Sequence, residues 1–286
     1  MNKTRQAWWN GLAGVLIFSG SLPATRAAVL DFDPVFLTLA RGAIAGLLAL
    51  GVLMLSKQRL PARAHWPAFA VVAFCVVVAF PLLTACALQH INSAHSIVFI
   101  GLLPLATAAC AVLHGERPSR AFWFFSGLGS AMVVGFAATR GVAIAPLGNA
   151  LMLVAVLLGG VGYAEGAGLS RTFGGWQVIS WALVLALPLM LPLSLMLRPV
   201  SFTHIGLPAW VGLAYVSVFS MLIGFVFWYR GLALGGTAAV GQLQLLQPFF
   251  GLMLAAVFLH EQVSLLMLLV TVGVIACVAG AKRFSA

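Results

Sequence analysis

Ten stretches of nearly unbroken apolar sequence, each about as long as a helix needs to cross a bilayer, leave this chain few residues with which to build anything else. The runs lie near 11–30, 34–55, 66–88, 93–113 and 120–139, then near 147–169, 175–197, 207–230, 237–259 and 263–281. About 20 residues at 1.5 Å each cover the ~30 Å of a hydrocarbon core. Of the 286 residues, 63% are hydrophobic and only 7% charged, against roughly 25% charged in a soluble domain. The sequence therefore predicts an all-α membrane protein of ten transmembrane helices. The short loops have no room for a soluble domain or a nucleotide-binding cassette, so function must lie inside the bundle.

The net charge of +10 reports topology, since the basic residues are scattered singly along loop ends instead of clustering as a nucleic-acid surface would require. With the N-terminus in the cytoplasm, the inside segments hold Lys3, Arg5, Lys57, Arg59, Arg63, Arg117, Arg120, Arg171, Arg230, Lys282 and Arg283. The outside loops hold only Arg140 and Arg198, with Arg26 near the outer end of the first span. This positive-inside bias places both termini in the cytoplasm. The first span, although preceded by Lys3 and Arg5, is expected to be retained and not cleaved as a signal. Cys75, Cys86, Cys110 and Cys277 all fall within apolar spans, where they serve as small packing residues, with no disulfide, metal site or cofactor expected.

The chain also resembles itself. Pro104 matches Pro248 at a shift of 144 residues, Ser93 and Ala94 match Thr237 and Ala238 at the same shift, and Glu116 and Ser119 match Glu261 and Ser264 at 145. This divides the chain into five-span repeats at 1–142 and 143–286. Five crossings is an odd number, so the second repeat must enter the membrane from the opposite side. Inverted repeats around a central cavity are the usual architecture of secondary transporters.

The pattern Phe18-Ser19-Gly20-Ser21 leading to Pro23, then Asp33-Pro34 and Arg41, resembles the first half of a drug/metabolite transporter superfamily protein of the EamA type. The spans ending in Leu113-His114-Gly115-Glu116 and Leu259-His260-Glu261 resemble the proline-to-glutamate signature that closes the fourth helix of each such repeat. The resemblance covers the whole chain and is greatest to bacterial exporters of aromatic amino acids. It implies a ten-helix inner-membrane exporter of amino acids, working with a small-molecule substrate and surrounding lipid, and with no ATPase subunit. The second half has no counterpart of Arg41.

Charges deep in a span cost at least ~2.5–3.5 kcal/mol and must find a partner. Glu165 either binds a substrate ammonium or coupling proton, or pairs with Arg171. Arg41 is expected to be structural, bonding helix-end carbonyls or pairing with Asp31 or Asp33. Glu116 and Glu261 sit where one helix ends and the next begins, and read as structural charges that satisfy a helix N-terminus. His95 shares a helical face with Phe99 and Leu102, a polar tip above an apolar wall. Gln242 and Gln244 are uncharged polar groups inside hydrocarbon, which either bond between helices or line a cavity. Trp8, Trp9, Trp66, Trp123, Trp176 and Trp210 fit an interfacial belt, whereas Tyr163 and Trp181 fall within spans. The candidate substrate-binding set is thus His95, Phe99, Tyr163, Glu165, Trp181, Gln242 and Gln244, with Pro23, Pro104 and Pro248 as hinges or helix breaks.

The substrate class follows from the charges. A sugar phosphate would require several cations at the cavity centre, and only Arg41 is a candidate. A neutral or zwitterionic amino acid with an apolar body fits best, by facilitated diffusion in preference to proton antiport. The alternative is a multidrug or other small-metabolite exporter on the same scaffold, proton-coupled or not. An intramembrane enzyme is excluded by the lack of a Ser/His/Asp set, a zinc spacing or paired aspartates.

Overall fold

The computed structural model describes residues 2–91, 96, 99–138, 145–251, 253 and 265–284. Each of the ten apolar runs carries helix among its described residues, which include no strand. In chain order the helices are α1 (Lys3–Ser19), α2 (Ser21–Ala28), α3 (Pro34–Leu55), α4 (Arg63–His90), α5 (Leu103–Leu113) and α6 (Arg120–Ala138). They continue as α7 (Pro146–Phe173), α8 (Gly175–Met196), α9 (Leu207–Gly235), α10 (Thr237–Gly241) and α11 (Leu265–Arg283). Among them α3, α4, α7, α8 and α9 are each long and apolar enough to cross a membrane unaided.

Local chemistry sets the helix ends. The Asp33 carboxylate accepts from the Val35 and Phe36 backbone N–H groups while Pro34, with no N–H to satisfy, opens α3. Two long helices change winding midway. In α4 the segment Ala73–Ala79 is π-helical, and the Phe80 N–H donates to the Cys75 carbonyl five residues back. In α9 the segment Val216–Ile223 does the same, with the Gly224 N–H donating to Phe219. In α4, Pro81 lies two residues past the π segment and has no N–H for the ladder. The two π segments begin 143 residues apart, within one residue of the shift that relates Pro104 to Pro248.

The most extensive helix pairings all join α1–α6 to α7–α11: α1 and α2 with α9, α3 with α8, α4 and α5 with α7, and α6 with α11. The pattern is reciprocal, since the first run lies against the eighth as the third lies against the sixth. Without a hydrophobic drive between helices in lipid, such pairing rests on close backbone approach at small residues. Where α1 crosses α9, a Cβ added at Gly231 would lie 2.6 Å from the Gly11 nitrogen. Gly51, by contrast, has nothing within 4 Å of the same position.

Gly231→Val should therefore lower the stability of purified protein by about 1–3 kcal/mol through overpacking, whereas Gly51→Val should leave it unchanged. Thermal unfolding in detergent makes the comparison. Equal effects at the two positions would mean that the α1–α9 contact does not hold these helices together.

Candidate functional site

A cavity of about 50 Å³ lies within the bundle, where irregular segments meet. Its walls come from α1 and α2 (Phe18, Ser21, Leu22, Thr25), α3 (Arg41), α4 (Val76, Phe80, Pro81, Thr84), Ile100 with Leu103, α7 (Tyr163), α9 (Ser220, Met221, Phe225) and Gln247. Both π segments contribute, through Val76 and Ser220. The space holds a few water molecules, less than an amino acid requires, so loading a solute demands that the surrounding helices part.

The break at Gly20 explains much of the wall. Ending α1 inside hydrocarbon frees its last carbonyls, which need donors. Tyr215 Oη donates to the Ile17 carbonyl at 2.6 Å, and Gln247 Nε2 to that of Phe18 at 3.1 Å. Both donors come from beyond residue 146. Just past the break, Ser21 Oγ donates to Ser220 Oγ at 2.8 Å.

Arg41 also reaches Ser220, its Nη2 lying 3.4 Å from the hydroxyl oxygen. The side chain is only 6% exposed, and its Nε has no hydrogen-bond partner among the described residues. The expected pairing with Asp31 or Asp33 does not form. Asp31 accepts from the Gly206 N–H at 2.8 Å, and Asp33 is taken by the N-terminus of α3. Arg41 sits two turns deeper on the inward face of α3, out of reach of either acid.

Of the other residues singled out in the sequence, Tyr163 lines the cavity, backed by Phe225 and Trp228. Gln242 and Gln244 are buried behind this wall in a 3₁₀ turn, Gln242–Leu246, and each amide oxygen lacks a partner among the described residues. Glu165 points the other way. Two residues along a helix is a turn of about 200°, so Tyr163 and Glu165 cannot face the same side. The Glu165 carboxylate instead meets His114 Nε2 at 2.7 Å, and Arg171 is engaged elsewhere. Phe99 packs into the apolar core while Ile100 and Leu103 take the cavity wall. A turn at 101–102, with the Leu102 N–H bonded to the Phe99 carbonyl, breaks the regular helical register on which the Phe99 assignment rested. Trp181 is buried in the core of α8, which contributes no cavity residue. His95 and Glu261 lie outside the described residues.

The prolines sit beside irregular segments. Pro23 follows the Gly20 break and faces outward, Pro104 lies in the first turn of α5, and Pro248 lies two residues past the 3₁₀ turn. Ser21, Thr84, Ser220 and Gln247 escaped sequence reasoning because small polar residues in spans commonly bond local backbone and so leave no distinctive signal. The four-residue spacing of Ser21 with Thr25, and of Phe80 with Thr84, was the available clue.

A second polar cluster closes one end of the bundle. Glu116 accepts from the Thr237 and Ala238 N–H groups at 2.8 and 2.9 Å and from Arg171 at 2.7 Å. It thereby caps α10 from the far side of the sequence. Alongside, His114 donates from Nδ1 to the Cys110 carbonyl and meets Glu165 through Nε2. The Cys110 carbonyl and then Glu165 hold the imidazolium above the ordinary value of 6.5. A raised folded-state value stabilises fully below 6.5 and loses that contribution as pH climbs through it.

Glu116→Ala should cost about 0.5–2 kcal/mol, the range of a lost helix cap, with Glu116→Gln milder. The melting temperature should also drift down as pH rises above 6.5, and His114→Gln should flatten that drift. A wild-type curve no steeper than that of the variant would remove the His114–Glu165 pair from the account.

Comparison with known proteins agrees with this geometry. The sequence profile of the EamA-like transporter family matches residues 7–137 and again 146–281. A Bacillus subtilis (strain 168) protein described as "Uncharacterized transporter YdeK" is 64% identical over 286 residues, covering all of both chains. A solved structure titled "Crystal structure of protein" superposes with a TM-score of 0.79 at 19% identity over 98% of each chain, a likeness of fold. Matched twice by one profile along nearly its whole length, the chain belongs to the EamA-like transporter family of the drug/metabolite transporter superfamily and is a multi-pass membrane transporter, not an enzyme.

Proposed function

We propose that this transporter exports amino acids, chiefly aromatic and other bulky neutral ones, from the bacterial cytoplasm by alternating access. The observation that carries the reading is the cavity walled by Phe18, Phe80, Tyr163 and Phe225, with a few polar groups among them and helices from both ends of the sequence around it. Apolar walls with sparse, fixed polar groups suit a small solute with a ring or branched body.

The doubled family match, the two π segments in near-equivalent register and the reciprocal pairing support two inverted five-helix repeats, 1–142 and 143–286. Each would rock against the other around the cavity. The basic residues favour cytoplasmic termini in a bacterial inner membrane, which would put the Glu116–Arg171 cluster at the cytoplasmic end. Among the described residues no carboxylate lines the cavity, and Glu165 is engaged by His114. That favours facilitated diffusion over proton antiport and weighs against a cationic drug, which would face Arg41 with no counter-charge.

Counterflow into proteoliposomes tests the reading. Labelled phenylalanine, tryptophan and threonine should accumulate transiently against unlabelled amino acid inside, without ATP and with little response to an imposed pH gradient. Protein-dependent flux of none of the three would overturn it.

A further inference from the structure

The acidic residues are Asp31, Asp33, Glu116, Glu165 and Glu261. The first four are engaged away from the cavity, by Gly206, the α3 N-terminus, Arg171 with α10, and His114. Arg41 is thus a buried guanidinium on the cavity wall, with Nε unpartnered among the described residues and Nη2 making one long bond to a neutral hydroxyl. A cation so placed carries a desolvation cost that a neutral serine does not repay. Its planar fork presents paired N–H donors matched to a carboxylate. Beside it, Ser220 accepts from both Ser21 and Arg41, which leaves its own O–H to donate. Thr84 adds a buried hydroxyl with no partner among the described residues, on the same cavity wall.

We infer that Arg41, with Ser220, is the anchoring site for a substrate carboxylate, and that the substrate class is the monoanionic carboxylate with an apolar body, whether or not it also carries an ammonium group. The inference deepens the export reading and rests on the same cavity. One guanidinium balances one carboxylate. A phosphate dianion would leave a charge uncompensated, because Arg41 is the only Lys or Arg among the described cavity residues. The ammonium group of an amino acid has no carboxylate to meet among those residues, so it adds little to binding. The ring then lies against Phe18, Phe80 and Phe225, the apolar remainder of the wall.

Substrate-dependent thermal stabilisation and competition for counterflow, both on the full chain, test this with L-phenylalanine, 3-phenylpropionate, its methyl ester and 2-phenylethylamine. The two carboxylates should bind within about tenfold of each other, and the ester and amine at least about tenfold more weakly. Arg41→Gln should weaken both carboxylates by at least about tenfold and leave the weak ester unchanged, with Arg41→Lys intermediate. Binding of the amine or ester as tightly as phenylpropionate, read on the wild-type protein even if the variants fail to fold, would overturn the anchor. So would an Arg41→Gln protein that binds phenylalanine normally, while the export reading survived if flux persisted. Phenylpropionate binding without flux of any amino acid would leave the anchor standing and overturn amino-acid export.

Discussion

Inside hydrocarbon, every backbone N–H and C=O must find a partner within the protein, because no water is there to supply one. A regular helix meets this demand alone, and most of the chain does so. A transporter must also interrupt its helices to create a space with polar groups in it, and each interruption releases backbone groups that side chains then have to satisfy. The end of α1 at Gly20 is the clearest case. Its freed carbonyls are taken by Tyr215 and Gln247, so opening a cavity at that point also ties distant parts of the chain together. The π segments are a gentler solution, in which the ladder shifts by one residue and continues.

The cavity is costly to maintain. It holds a buried cation, a hydroxyl with no partner among the described residues, and a void, each unfavourable by itself. The surrounding contacts offset this through close approach of small residues and through aromatic packing, as where Tyr163 and Phe18 meet Phe225 and Trp228. Unsatisfied polar groups concentrated in one place point to what a protein binds. Among the described residues, Arg41 Nε and the Thr84 hydroxyl are two such groups on the cavity wall.

The apolar runs were plain in the sequence because bilayer thickness leaves a length signal that later packing cannot erase. The repeat was visible through Pro104, Pro248, Glu116 and Glu261, residues whose backbone or charge effects do not depend on which neighbour they meet. Tyr163 stood out as an aromatic away from the interfaces. The direction of Glu165 was also available, since a residue two places from Tyr163 must face away from it. Arg41 was harder: its depth was legible, but whether it would meet Asp33, a carbonyl or a cavity depended on which face of α3 turned inward. Phe99 was misplaced for a different reason. Projecting a face along a helix assumes an unbroken register, and the turn before Leu103 removes that assumption. Ser220 could not be found at all, since its importance comes from Ser21 and Arg41, each 179 or more positions away.

The Glu116 carboxylate caps a helix that begins 121 residues later, and the broadest helix pairings likewise join early to late sequence. For a chain inserted into the membrane as it is synthesised, this sets an order of events. The first six helices must wait in the bilayer, with Glu116 lacking Arg171 until the chain passes its sixth apolar run and lacking the α10 N-terminus until the ninth leaves the ribosome. Closing a loop of that length late costs conformational entropy that local contacts cannot repay in advance. Maturation of this protein is therefore a property of the finished chain, and truncation near its end removes support from helices made at its beginning.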